Sequence, residues 1–382
     1  MQHNPYEGRL ERRREIIEFA ERALNRERQD EEDGSSFDRD GWKACADFGL
    51  FGGTIPKEFG GTGRDIVTTV EDLEVLGYAC RDNGFTLAVN TMIWIALEPV
   101  LAFGSDEQKK RYLPGMMRGE LLAGDAISEP EAGSDATAMT TRAEKTEGGY
   151  LLNGQKCYIT MAPVADLLIV YAKTNPKGGL WGLSAFLVDV PSDGLELSEN
   201  HEKSGLRGLP NGDVIFRDVF VPEENRLGRE GGGFSFLLQS LEWERAFIFA
   251  SHIGSMERQL EECVRYATTR QQFGKNIIEF QSVSNRLADM KLRLETSQLL
   301  LRKLAWMKQN GKSAVMEASI AKLHISESFV QSSLDAVRIH GGKGYMRQYE
   351  VERDLRDALG GVLYGGTSDI QRNMIARLLE KQ

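Results

Sequence analysis

Leu241-Glu242-Trp243-Glu244-Arg245-Ala246-Phe247 and Tyr364-Gly365-Gly366-Thr367-Ser368-Asp369-Ile370-Gln371-Arg372 are the two segments on which the reading of this chain turns. The first is a helix-forming stretch in which Glu244 lies beside Trp243 and close to Phe247 and Ile248. A carboxyl group among apolar side chains has its pKa raised, which suits a general base working near neutral pH. The plain alternatives are an ion pair with Arg245 or a surface glutamate, and the helix taken alone favours those. The second segment is a glycine turn, with Gly365 and Gly366 ahead of Thr367.

Around these segments lie 382 residues with a formal net charge of -10. Length alone suggests two or three domains of roughly 150 residues each. Phosphate backbones bind concentrated basic surfaces, so nucleic acid is not an expected partner. The run Arg12-Arg13-Arg14, flanked by Glu11 and Glu15, reads as a solvated helix face. Cys45, Cys80, Cys157 and Cys263 stand far apart and read as buried, reduced thiols. The histidines lack metal-ligand spacing, so no metal is expected. No uninterrupted apolar run reaches the 18 or so residues of a membrane span, and no apolar leader opens the chain. A soluble, cytoplasmic protein is expected.

The order of elements is helices, then strands, then helices. Residues 1–121 read as a helical domain, with helices near Arg9–Asn25, Ile66–Ala79, Asp82–Phe103 and Glu107–Arg118. From 122 to 230 short β-type runs alternate with turn residues. Strands are expected at 166–174, 183–190 and 214–221, and Asn153-Gly154 after Tyr150-Leu151-Leu152 signals a hairpin. Residues 231–382 return to helix. Leu287, Met290, Leu294, Ser297, Leu301 and Leu304 form one apolar stripe, and Met316, Ile320, Leu323, Val330, Leu334 and Val337 a second. Long amphipathic helices of this kind pack as a bundle. The predicted class is α+β: an N-terminal helical domain, a middle β-sheet or barrel domain, and a C-terminal four-helix bundle.

The two opening segments resemble the signatures of the acyl-CoA dehydrogenase family, whose flavin removes two hydrogens from an acyl thioester. In that family one glutamate takes the α-proton, mounted either before the GTS turn or before Arg on the earlier helix. Here the first place is Gly365 and the second Glu244, so the resemblance implies Glu244 as the catalytic base. It also implies that the Gly365 backbone N–H polarises the thioester carbonyl. Ala126-Ile127-Ser128-Glu129-Pro130-Glu131-Ala132-Gly133-Ser134-Asp135 is similar to the family's flavin and substrate loop, with Glu131 at a normally small position. Asn153–Thr160 is similar to the strand beside the isoalloxazine ring. By this likeness FAD is the cofactor, touched by Ile127, Ser128, Gly133, Ser134 and Thr160, with Tyr158 over one face.

Arg270-Gln271-Gln272-Phe273-Gly274 and Gln281 resemble the element that reaches the FAD pyrophosphate of a neighbouring subunit, a contact that guanidinium forks suit. The likeness extends to Arg338 and Gly342 in a glycine turn, where relatives often carry Gln at the Arg338 position, and to Thr367 and Asp369. It implies substrate contacts at Ser134, Arg245 and Tyr364, although Arg245 also reads as a partner for Glu242. His340 reads better as structural than as a flavin contact. Gly60-Gly61-Thr62-Gly63 reads as a plain loop, not a dinucleotide fingerprint.

Within the family, Trp243–Glu261, Ser128–Asp135 and Leu334–Ile339 resemble the prolyl-carrier-protein dehydrogenases and oxidases of the anatoxin-pathway type. That likeness implies oxidation of L-prolyl thioester on a carrier protein to a pyrroline-carboxyl thioester in secondary metabolism. It implies a homotetramer, and oxygen or an electron-transfer flavoprotein as acceptor. The rival readings are a short or branched acyl-CoA dehydrogenase of the isovaleryl type, a monooxygenase-like relative, and a non-catalytic DNA-binding relative. The last is disfavoured by the acidic charge.

Overall fold

The computed structural model describes residues 5–26 and 36–380. Helices α1 (Pro5–Ala23), α2 (Arg39–Asp47), α3 (Ile66–Ala79), α4 (Asn83–Thr91), α5 (Glu98–Phe103) and α6 (Asp106–Met117) come first. Local chemistry explains where several begin. Asp65, Asp82 and Ser105 each place a side-chain oxygen on an otherwise unpaired amide of the first turn. Ser105 and Gln108 complete a reciprocal capping box.

Between α4 and α5 the chain stays helical but widens into a π-helical turn, Met92–Leu97. Pro99 follows Glu98 just beyond it, and a proline cannot donate the backbone hydrogen bond that regular helix requires there. By length and composition Asn83–Phe103 could cross a membrane, with mean hydropathy 1.6. Inside this fold 78 % of that window is buried, as befits the central helix of a globular core.

The middle of the chain forms one eight-stranded sheet: β1 (Ala123–Ala126), β2 (Arg142–Thr146), β3 (Gly149–Thr160), β4 (Leu167–Lys173), β5 (Leu183–Asp189), β6 (Leu195–Leu197), β7 (Asn211–Pro222) and β8 (Arg226–Leu227). Its order is β6-β7-β3-β2-β4-β5-β8, with β1 parallel to β4. One face carries Leu168, Val170, Phe186 and Val214 into a core of its own. The other carries Leu167, Ile169 and Tyr171 onto the helices. The expected hairpin at Asn153-Gly154 is not there. β3 runs straight through both residues, and the hairpin turn is Glu147-Gly148, between β2 and β3. The long pairing of β3 with β7 passes this point with a register irregularity between Leu152 and Gly154, so cross-strand bonding overrides the local turn preference.

The C-terminal part comprises α7 (Gly233–Phe247), α8 (Ala250–Thr269), a ribbon of β9 (Gln271–Gln272) and β10 (Lys275–Asn276), α9 (Gln281–Gln309), α10 (Val315–His340), α11 (Gly342–Tyr345), α12 (Val351–Gly361) and α13 (Ser368–Leu379). The α9 stripe from Leu287 to Leu304 is buried as expected. The α10 stripe is not the core face: Ile320 is exposed, and Met316, Leu323, Val330, Leu334 and Val337 are half-buried. The buried face carries Ala318, Ala321, Ile325, Phe329 and Ala336 instead, because small side chains let neighbouring helices approach closely. α8 crosses α3 so tightly that a Cβ on Gly254 would lie 1.8 Å from the Glu74 carbonyl oxygen. The basic run on α1 also differs from expectation. Arg12 pairs with Asp72 at 3.0 Å and Arg13 with Glu257 at 2.9 Å, so two of its three arginines dock α1 onto α3 and α8.

Candidate active site

Glu244 sits in the last turn of α7, and the glycine turn before α13 comes to meet it. Gly365 has φ +64°, a left-handed conformation that glycine adopts without steric cost. A Cβ built on Gly365 would lie 3.3 Å from Glu244 Oε1 and 3.9 Å from Lys322 Cε. Two positions 121 residues apart in number therefore address the same point in space. Among the described residues the Glu244 carboxylate makes no hydrogen bond or ion pair. Burial raises its pKa, and the positive charges of Arg245 and Lys322 offset that only in part.

Several residues shape this point. Arg245 is buried and donates from Nε to the Gly365 carbonyl at 3.1 Å. Gln371 Nε2 donates to the carbonyls of Gly365 and Gly366 at 3.1 and 3.0 Å. The turn is thus gripped from two sides while its N–H groups stay out of these bonds. The alternative pairing of Arg245 with Glu242 is not formed: Glu242 accepts from Lys308 Nζ at 2.9 Å and from the Ala314 amide at 3.0 Å. Tyr364 stacks on Phe249, ring centroids 5.3 Å apart. Lys322 donates to the Gly361 carbonyl at 2.9 Å, and burial brings its pKa down to about 8. Trp94, from the π-helical turn, stacks on Trp243 at 5.7 Å and leans on Phe247 at 4.7 Å. These aromatic rings wall the helix on which Glu244 stands.

The loop after β1 is tied to β3. The Ser128 carbonyl accepts from the Cys157 amide at 2.9 Å, so Ser128 lies beside the stretch bearing Tyr158 and Thr160. Beneath it, buried Glu129 and Lys156 pair at 2.9 Å. Lys156 also donates to the Ile127 carbonyl at 3.0 Å, and the Thr141 amide to Glu129 at 3.0 Å. Burial works against the Glu129 charge, but Lys156, Thr140 and Thr141 outweigh it and hold the group at about 2. Gly133 and Ser134 are exposed on the same loop.

Tyr158 and Phe273 are held at φ +57° and +49° with their side chains 72 % and 94 % exposed. Such backbone strain and such aromatic exposure are unfavourable unless a surface covers the rings. Arg270, Phe273 and Gln281 form a separate exposed group at the α8–α9 connection. Arg338 is exposed and pairs with Asp335 at 3.6 Å. Gly342 is exposed in α11. His340 hydrogen-bonds the Ala336 carbonyl at 2.9 Å and stacks on Tyr266 at 4.3 Å, which is a structural arrangement. Thr367 caps α13, accepting from the Ile370 amide at 3.2 Å. Asp369 is exposed in that helix's first turn and pairs with Arg372 at 3.0 Å.

A dinucleotide fits this set. The Ser128–Thr160 corner offers hydroxyls beside an exposed ring, and the α13 N-terminus offers amides of the kind that bind phosphate. Among the described residues no group of three or more His, Cys, Asp or Glu side chains is placed to hold a metal. The structure adds Lys322, which the motifs did not announce, and pairs Glu129 with Lys156, two residues that lie within them. Lys322 sits among apolar residues on α10, and nothing local marks it.

Comparison with known proteins agrees with this geometry. Residues 7–120, 124–219 and 231–380 match the N-terminal, middle and C-terminal domains of acyl-CoA dehydrogenase. An L-prolyl-[peptidyl-carrier protein] dehydrogenase of Pseudomonas fluorescens is 42 % identical over 340 residues, 89 % of this chain and 90 % of that one. The crystal structure of the prolyl acyl carrier protein oxidase AnaB superposes with TM-score 0.96 at 44 % identity, covering 99 % of both chains. The FAD complex of PigA superposes with TM-score 0.94 at 38 % identity, covering 100 % of this chain and 99 % of that one. This chain belongs to the acyl-CoA dehydrogenase family.

Proposed function

We propose that this chain is an FAD-dependent dehydrogenase of an L-prolyl thioester carried on a phosphopantetheine arm, yielding a pyrroline-carboxyl thioester for secondary metabolism. The observation that carries the reading is the convergence of Glu244 on the space above Gly365, at 3.3 Å from where a side chain there would begin. One carboxylate is needed to take a proton from a carbon acid, and Glu244 supplies it. Similarity to the prolyl-carrier-protein enzymes supports the choice of thioester. The aromatic wall of Trp94, Trp243 and Phe247 supports a compact acyl group.

In this reading the Gly365 N–H donates to the thioester oxygen, where negative charge grows as the α-proton leaves. Glu244 takes that proton, and the C–H electron pair delocalises toward the carbonyl. Desolvation keeps Glu244 basic enough for the task. Arg245 and Gln371 hold the turn so that its N–H does not swing away. Ser128, Thr160 and Tyr158 would hold the flavin ring, with Ile127, Gly133 and Ser134 beside it. Thr367, Asp369, Gly342 and Arg338 would lie along the dinucleotide. FAD, when bound, supplies the two-electron acceptor for the β-carbon.

Arg270, Phe273 and Gln281 would reach the cofactor of a neighbouring subunit in a cytoplasmic homotetramer. The exposed Leu292, Leu299, Trp306 and Leu363 support such an assembly. Anaerobic mixing with prolyl-loaded carrier protein, and separately with isovaleryl-CoA, tests the assignment. Rapid bleaching of the flavin by the prolyl thioester is expected. Fast reduction by isovaleryl-CoA alone would move the enzyme to the branched-chain acyl-CoA class.

A further inference from the structure

The mechanism above leaves one group near Glu244 without a task. β1 runs parallel to β4 with Asp125 opposite Ile169. Residues two apart on a strand share a face, so Asp125, Ile169 and Tyr171 all look toward the helices. Asp125 and Tyr171 are diagonal neighbours across this pair, close enough for the aspartate to act on the tyrosine. Asp125 is only half-buried, yet its Oδ1 is shielded from solvent and meets no donor. Tyr171 is fully buried, and its hydroxyl completes no hydrogen bond, although Ser240 lies beside it. Ser240 stands one helical turn before Glu244 on α7. The charges of Asp125, Tyr171 and Glu244 act on one another.

Unpaired buried polar atoms are costly, so Asp125 and Tyr171 are poor choices for lining an alkyl pocket. A prolyl group differs from a carbocycle at one ring atom, a basic secondary amine. We propose that Asp125, with the Tyr171 hydroxyl beside it, receives the ring nitrogen of the prolyl substrate and thereby selects it over thioesters that lack an amine. This rests on the prolyl reading given above. Burial, reinforced by Glu244, lifts Asp125 well above the carboxylate range despite Lys156. When the amine enters as its free base, a single proton lies between it and the Asp125 carboxyl group, and the pair carries no net charge.

The experiment compares two thioesters on the same carrier protein: L-prolyl and cyclopentanecarbonyl, which has CH2 in place of the ring NH. Anaerobic flavin reduction is measured for the wild type, Asp125→Asn, Asp125→Leu and Tyr171→Phe, with flavin content and melting temperature recorded for each. Loss of a charge-assisted hydrogen bond is expected to lower the prolyl-to-cyclopentanecarbonyl ratio by about 10–100-fold in Asp125→Leu, with smaller losses in the other two. Where Asp125→Leu fails to hold flavin, the near-isosteric Asp125→Asn carries the test. An unchanged ratio, whether both rates fall together or neither does, overturns the assignment while leaving the prolyl reading intact. A wild type that is reduced by neither thioester, or only by the carbocycle, overturns both.

Discussion

Glu244 and Glu129 are two glutamates withdrawn from bulk water within one chain, and their surroundings drive them in opposite directions. Glu129 is locked against Lys156 at 2.9 Å and accepts further hydrogen bonds from Thr140 and Thr141, so its pKa is held down to about 2. Glu244 has positive neighbours but no bonded partner among the described residues, and burial leaves its proton affinity raised. The first arrangement makes a carboxylate into a structural tie. The second keeps one reactive. Burial alone does not mark a base; the lack of a hydrogen-bonded countercharge is what separates Glu244 from Glu129.

The largest test of that contrast is Glu244→Gln. Flavin reduction by prolyl-carrier protein is expected to fall by roughly two to four orders of magnitude, with flavin content and melting temperature kept. A variant that reduces at the wild-type rate would remove Glu244 from the chemistry and erase the contrast. Glu129→Ala should behave in the reverse sense. It strands the buried Lys156, and breaking a buried pair costs about 3–5 kcal/mol. Because burial already lowers the Lys156 pKa, the loss is expected at the low end. Thermal unfolding measures it.

Smaller, and sharper, is the double variant Glu244→Gln/Gly365→Glu. If the two mounts serve one point, a carboxylate restored at 365 should recover at least tenfold of the lost rate, about 1.4 kcal/mol of barrier. The left-handed backbone at Gly365 disfavours any side chain by roughly 1–2 kcal/mol, so a lower melting temperature should accompany the recovery. The stability cost without any rescue would show that the two positions are not equivalent mounts.

The smallest effects lie in pH. The acid limb of the reduction rate should fall above 4.5, the ordinary glutamate value, because Glu244 must be ionised to accept a proton and its pKa is raised. Glu129 has the opposite sign. With a folded-state value of about 2 against 4.5 unfolded, its contribution to stability is fully present above 4.5 and is lost as pH falls through 2. Glu129→Gln should flatten acid unfolding in that window and leave the pH profile of reduction in place. A Glu129→Gln variant that shifted the rate profile instead would show that the Glu129–Lys156 pair acts on the base.

Much of this was legible before any coordinates. Helix α3 spans Ile66–Ala79, the span its pattern predicts, and the α9 stripe is buried as its spacing requires. Those signals are local: capping oxygens, period and turn residues act within a few residues of one another. The exchange of Glu244 for Gly365 was legible as a pair of motifs, because each half is a short run of residues. Where local preference met long-range pairing it lost. Asn153-Gly154 favours a turn, but β3 satisfies its backbone against β7 instead. On α10 periodicity pointed to the stripe from Met316 to Val337, but the neighbouring helices pack against the face rich in alanine and serine.

The order of helix, sheet and helix, the family and the carboxylate to suspect can all be read from short runs of residues. That Glu244 faces Gly365 at contact distance, with Lys322 beside them, is set by the packing of α7, α10 and the turn before α13. Such facts depend on chain crossings between residues far apart in number, and on the dielectric that those crossings create around a charge. No window of sequence contains either.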